Sequence, residues 1–190
     1  MDAMLCRIDM HTGDLDAADA WYREKAPREP THLNVMRRYQ YLTQAMVELE
    51  DGRPDTVQLT LAPLEPYIQN CARIIDGIHL NVLTAIALYR KKDERWRERL
   101  TVALDAAAEY RFIRTVSVYG TAVLPLLEVL DWDGDKAWRK RLMAAVRTQA
   151  AFYPHFLEPR LAPGEELTPT ELQILHLLCS DNSNADIAQI

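Results

Sequence analysis

Residues 31–64, THLNVMRRYQYLTQAMVELEDGRPDTVQLTLAPL, hold the pattern that sets the class of fold. Val35, Tyr39, Leu42, Met46 and Leu49 recur at intervals of three and four, with Ala45 as a small contact position. That spacing makes one face of a helix apolar from Thr31 or His32 onward. Gly52 ends the helix and Pro54 opens the next, which runs past Val57, Leu61 and Leu64 and is kinked or split by Pro63 and Pro66. Two amphipathic helices around a glycine break make a hairpin.

The same unit extends in both directions. Upstream, Met4, Leu5 and Ile8 lie on one side of a helix that reads as already in progress at Met1, as if the chain began inside a longer protein. His11-Thr12-Gly13 breaks it. Asp14 or Asp16 starts a second helix through Ala17, Ala18, Trp21 and Tyr22 to Ala26, and Pro27 and Pro30 then force a loop. Downstream, Ile75, Ile78, Val82, Ile86 and Tyr89 pair with Trp96, Leu100, Ala103, Leu104 and Ala107. Phe112, Val116, Tyr119, Val123, Leu126 and Leu130 mark a further helix, bent by Pro125. Trp138, Leu142, Val146 and Tyr153 mark the last, stopping at Pro154.

No strand alternation survives against this background, so the expected class is all-α. The breaks at Gly13, Gly52, Lys91 and Gly134 are spaced by 39, 39 and 43 residues. Four helix pairs at a near-regular period predict a tetratricopeptide-like helical-hairpin solenoid over residues 1–153. A hairpin cannot bury its apolar stripe alone, so each unit leans on the next and leaves one surface concave. Trp21, Trp96 and Trp138, each in a second helix, are expected to pack between hairpins. Residues 154–166, with Pro159, Pro163 and Gly164, read as a linker.

The chain has 190 residues, is 48% hydrophobic and carries a net charge of -6. Residues 1–160 hold 22 basic and 23 acidic side chains, so the acidity sits in the tail. A nearly neutral body is not a nucleic-acid surface. Cys6, Cys71 and Cys179 are odd in number and lack paired spacing, which predicts buried thiols in a reducing compartment. With neither a signal peptide nor a long apolar run, the expected location is cytoplasmic and no membrane partner is expected.

The tail, residues 167–190, reads LTPTELQILHLLCSDNSNADIAQI. Thr168 can cap a helix opening at Pro169, with Glu171 completing a capping box. Leu172, Leu175 and Leu178 share a face. Asp181-Asn182-Ser183-Asn184 breaks the helix, and Asn184 can cap a second one carrying Ile187, Ala188 and Ile190. Two short helices joined by a polar turn form the front half of a helix-turn-helix.

This stretch resembles the opening of the DNA-binding domain of LuxR-type transcription regulators. Leu167, Thr168, Glu171, Leu175, Leu178, Asn184 and Ile187 are the scaffold positions that the resemblance implies. Asp181 and Asn182 stand where that family usually has glycine, and Ala185 and Asp186 where it tends to have lysine and glutamate. The match covers about the first third of that domain, and the recognition helix that would read the groove is not in the sequence. Residues 36–53, MRRYQYLTQAMVELEDGR, are similar to part of the repeat domain of the large ATP-dependent members of that family, the group with the maltose regulator. The resemblance implies a non-catalytic region that binds a small-molecule inducer or a regulatory protein. It also implies a possible self-association and an ATPase N-terminal to the repeats, although no GxxxxGK[ST] occurs here. Residues 161–190 contain five acidic side chains and no Lys or Arg. DNA affinity comes largely from neutralised phosphates, so binding is expected only with residues beyond Ile190.

Catalytic and metal constellations are missing from the sequence, and neither an enzyme nor a cofactor is expected. The histidines are scattered, without HExxH or a Cys/His cluster. Asp131, Asp133 and Asp135 look like the start of a calcium loop, but Leu142 stands where the loop needs glutamate. An effector or partner site is expected on the concave face, off the core stripes, at Arg38, Tyr41, His79, Arg114 and Ser117. Arginines with tyrosines there suit an anionic or polyol ligand or a protein segment. The alternative is a free-standing helical-repeat scaffold for other proteins, with Leu167–Ile190 packed as a cap.

Overall fold

The computed structural model describes residues 2–28 and 35–160. The expected helix-turn-helix positions Leu167, Thr168, Glu171, Leu175, Leu178, Asn184 and Ile187 lie outside the described residues, as do Cys179 and residues 161–166 of the expected linker.

Among the described residues the chain is helical, without strands. The α-helices are α1 (Asp2–Thr12), α2 (Leu15–Lys25), α3 (Arg38–Glu50), α4 (Pro54–Leu61), α5 (Leu64–Asn70), α6 (Ile74–Arg90), α7 (Trp96–Glu109), α8 (Arg114–Ser117), α9 (Gly120–Val129) and α10 (Lys136–Phe152). A 3-10 turn over Val35–Arg37 leads into α3. Consecutive helices pack as hairpins, α1 on α2, α3 on α4, α6 on α7 and α9 on α10. Across the hairpins α1 touches α3, α3 touches α6, and α6 touches α8 and α9.

α6 is the centre. Residues 82–88 are buried without interruption, on all sides of the helix. Each buried Val, Leu or Ile there contributes about 1.5–3 kcal/mol. The expected stripe of α7 is buried at every position, Trp96, Leu100, Ala103, Leu104 and Ala107, as are Trp21, Trp96 and Trp138. Other stripes rotate. Tyr39 and Ile75 are 42% and 48% exposed, and Tyr41, expected off the core, is 4% exposed. On α1 the buried side is Ala3, Cys6 and Met10, while Met4, Leu5 and Ile8 face outward.

One turn chemistry recurs at five helix ends. After α1, α3, α5, α6 and α7 a residue with positive φ follows: Gly13, Gly52, Ala72, Lys92 and Arg111. The next amide then donates back to the carbonyl five residues earlier, Asp14 to Asp9 at 2.8 Å, Arg53 to Glu48 at 2.8 Å, Arg73 to Ile68 at 3.1 Å, Asp93 to Leu88 at 3.0 Å and Phe112 to Ala107 at 2.8 Å. These are Schellman closures. The break at Gly134 is of another kind. A Cβ there would meet the Trp132 ring at 2.0 Å, so glycine is required for close approach. Trp132 in turn donates from Nε1 to Asp105 at 2.8 Å. Asp135 caps α10 through the Trp138 amide at 2.9 Å and pairs with Arg111.

Pro63 splits α4 from α5 as expected, with Pro66 inside α5. Two other boundaries differ from expectation. The helix expected to bend at Pro125 instead divides at Val118–Tyr119, because Gly120 takes a positive φ of 39°, while Pro125 sits inside α9. The compact body also runs on to Pro159, with Phe156 and Leu157 in its core, so residues 154–159 are body and not linker. Cys71 is exposed, against the expectation of buried thiols, while Cys6 is buried and its thiol is pushed up to about 12 by that burial.

Candidate functional site: the face of the first helices

α1, α3, α6 and the α8–α9 pair are the first members of the hairpins, and their polar residues meet on one face. Arg7 on α1 donates from Nε to the Thr43 hydroxyl at 2.8 Å and from Nη2 to the Tyr39 carbonyl at 3.4 Å. Its guanidinium lies 3.7 Å from the centre of the Tyr39 ring, a cation–π contact that joins α1 to α3. Burial lowers the Arg7 pKa from its ordinary value.

On α6, Asp76 and His79 are one turn apart and share a side. Asp76 accepts from Arg38 Nε at 3.1 Å and Arg73 Nε at 3.0 Å, so the opening turns of α3 and α6 are pinned together. His79 Nδ1 lies 2.8 Å from the Tyr119 hydroxyl, which ties α6 to the start of α9. Tyr119 is fully buried and its hydroxyl has no other partner among the described residues, so it donates to His79 Nδ1. The neutral imidazole then carries its remaining proton on Nε2. Burial, followed by the nearby Arg7 charge, holds His79 down at about 4. Ser117 on α8 is buried beside this contact in sequence, and Arg114 is exposed.

At the other end of the face the chain's own segment closes over the helices. His11 stacks on Phe156 with ring centres 3.8 Å apart and meets Tyr153 edge-on at 4.9 Å. Arg90 donates to the Leu49 carbonyl at 2.6 Å and also to the Leu157 carbonyl. Through it the segment is fastened to the C-terminal ends of both α3 and α6, where a cation is favoured. Burial first, and then the charges of Arg114 and Arg7, keep His11 below its ordinary pKa.

Of the five expected site residues, Arg38, His79, Arg114 and Ser117 belong to this set of helices and their neighbours. Tyr41 does not. It is buried on the opposite side of α3, lining a cavity of about 230 Å³ with Pro27, Gln44 and Thr60. Beside that cavity the buried Glu48 accepts from Thr60 at 2.8 Å, Gln44 at 3.0 Å and Tyr22 at 3.1 Å, a joint between α2, α3 and α4. Sequence reasoning missed Arg7, Asp76 and Tyr119. Arg7 had one available signal, its place one helical turn before His11.

A cleft of about 750 Å³ opens between α5, α6 and α7. Its arginines are matched to carboxylates, Arg73 to Asp76, Arg95 to Asp93 and Arg99 to Glu65, so it has no unmatched arginine to offer an anion. Among the described residues no group of His, Cys, Asp or Glu is placed to hold a metal ion, and no helix is long and apolar enough to cross a membrane. Comparisons with protein families, with curated proteins and with solved structures gave no match to this chain.

Proposed function

We propose that this chain is the effector- or partner-binding and assembly region of a LuxR-type transcription regulator, non-catalytic, with a helical-repeat body followed by the first part of a helix-turn-helix. The observation that carries the reading is the order along the chain. Sequential hairpins with a polar first-helix face come first, and the capped, apolar-faced pattern of Leu167–Ile190 follows. Hairpins that touch through α1–α3, α3–α6 and α6–α9 support a tetratricopeptide-like stack, and such a stack offers its first helices as a binding surface. Recognition would fall to Arg38, His79, Arg114 and Ser117, joined by Arg7.

The test compares DNA binding by this chain and by a form extended through a complete helix-turn-helix. The regulator reading expects that the longer form alone binds, with affinity falling steeply as salt rises. If neither form binds at any salt concentration, the DNA-binding half of the proposal is refuted, and a protein-binding scaffold becomes the better account.

A further inference from the structure

The charge balance of the first-helix face says more about its ligand, and this inference rests on that face being the binding surface proposed above. We propose that it takes a small anionic ligand, a phosphate or carboxylate compound, with Arg7 and Arg114 as the charge-bearing contacts and His79 as a neutral donor.

Arg7 carries the argument. A guanidinium drawn partly out of water is ordinarily matched by a carboxylate, because the desolvation cost is otherwise uncompensated. Arg7 has only neutral partners among the described residues, the Thr43 hydroxyl, the Tyr39 carbonyl and the Tyr39 ring. Those contacts use two of its five N–H donors and leave its charge without a counter-ion among the described residues. The side chain of Arg114, exposed on α8, makes no hydrogen bond or ion pair among the described residues. His79 offers an N–H on Nε2 because Nδ1 is committed to Tyr119.

Acceptors are correspondingly scarce. Asp76 is the one carboxylate among the described residues that bears on His79, and Arg38 and Arg73 already share it. A polyol needs acceptors as well as donors, since each hydroxyl gives a proton as well as receiving one. A phosphate or carboxylate needs donors alone, and arginine forks fit it in two-point geometry. The surplus of donors over acceptors therefore selects an anion over a sugar.

Isothermal titration of the whole chain at low ionic strength tests this, with inorganic phosphate, succinate and glucose as separate probes and sodium chloride as the ionic-strength control. Binding of phosphate or succinate is expected, and whichever binds more tightly identifies the headgroup. Arg7→Gln and Arg114→Gln should each weaken it by about tenfold or more, equivalent to about 1.4 kcal/mol. Arg114 is exposed, so its variant keeps the test valid even if Arg7→Gln fails to fold. The inference is overturned if neither anion binds with a Kd below about 1 mM, or if both variants bind as the parent does. Glucose binding that the variants abolish would overturn the anion while leaving the effector surface standing. If no probe binds and partner or inducer responses survive both substitutions, the inference and the proposed surface fall together.

Discussion

Lys92 ends α6 with φ at 58°, a conformation that an L side chain reaches only at a cost. Its side chain is exposed, so replacing it with glycine removes that cost without opening a cavity. The left-handed penalty is about 1–2 kcal/mol, and the extra chain entropy that glycine loses on folding is about 0.5–1 kcal/mol. Lys92→Gly should therefore stabilise the body by about 0.5–1 kcal/mol, raising Tm by about 2–4 °C per kcal/mol for a domain of this size. Gly13→Ala is the mirror experiment. Gly13 has φ at 82°, and nothing lies within 4 Å of the Cβ it would gain, so the backbone alone decides the outcome. That substitution should destabilise by about 1 kcal/mol. Urea unfolding followed by far-UV circular dichroism reads both. Opposite signs are required by the Schellman argument, and a Lys92→Gly variant that melts earlier, or a neutral Gly13→Ala, would refute it.

Phe156→Ala should cost about 3–5 kcal/mol, the range for deleting a buried phenyl group, since Phe156 is buried and stacked on His11. A linker residue would cost almost nothing, so the same urea titration separates the two assignments. Gly134→Ala forces its new methyl into the Trp132 ring, which must move and give up its bond to Asp105. A loss of about 1–3 kcal/mol, with a change in tryptophan emission, is expected. His79 is held at about 4 when folded and returns to the ordinary imidazole value when unfolded. Because the folded pKa is the lower one, the unfolded chain binds the extra proton. Stability is therefore whole above about pH 6.5 and lost as pH falls toward 4. Partial solvent access to His79 keeps the loss below about 3 kcal/mol. His11 shifts in the same direction. A His79→Gln variant should show a shallower loss of Tm across that pH range.

Much of the helix order is legible in the chain. Three-and-four spacing, the break at Pro63 and the stripe of α7 all depend on local geometry, and the observed helices follow them. The same local rules place Arg38, His79, Arg114 and Ser117 on the first helices. Burial on both sides of α3 and α6 is what they miss. An apolar stripe shows which face is most apolar, but only the neighbours decide how much of the remainder is covered. Tyr41 is enclosed because α4 and the end of α2 close over it, while Tyr39 stays half-open under Arg7.

Turns divide in the same way. Glycine at Gly13 and Gly52 announces a left-handed helix end, because only glycine adopts that backbone without strain. Ala72, Lys92 and Arg111 adopt it without any sequence sign, since packing of the hairpins imposes the closure and offsets its cost. Gly134 looks like the same signal, yet it serves the Trp132 ring brought against it from two residues away. The sequence by itself determined the helical class, the succession of hairpins and the residue types available on their first helices. Only the tertiary structure decided that residues 154–159 belong to the body and that Arg7 is half-buried with no carboxylate among the described residues to meet it. It also decided that the Tyr119 proton holds His79 in one tautomer. All three depend on groups 36 or more residues apart in the chain, and no local propensity encodes a contact at that range.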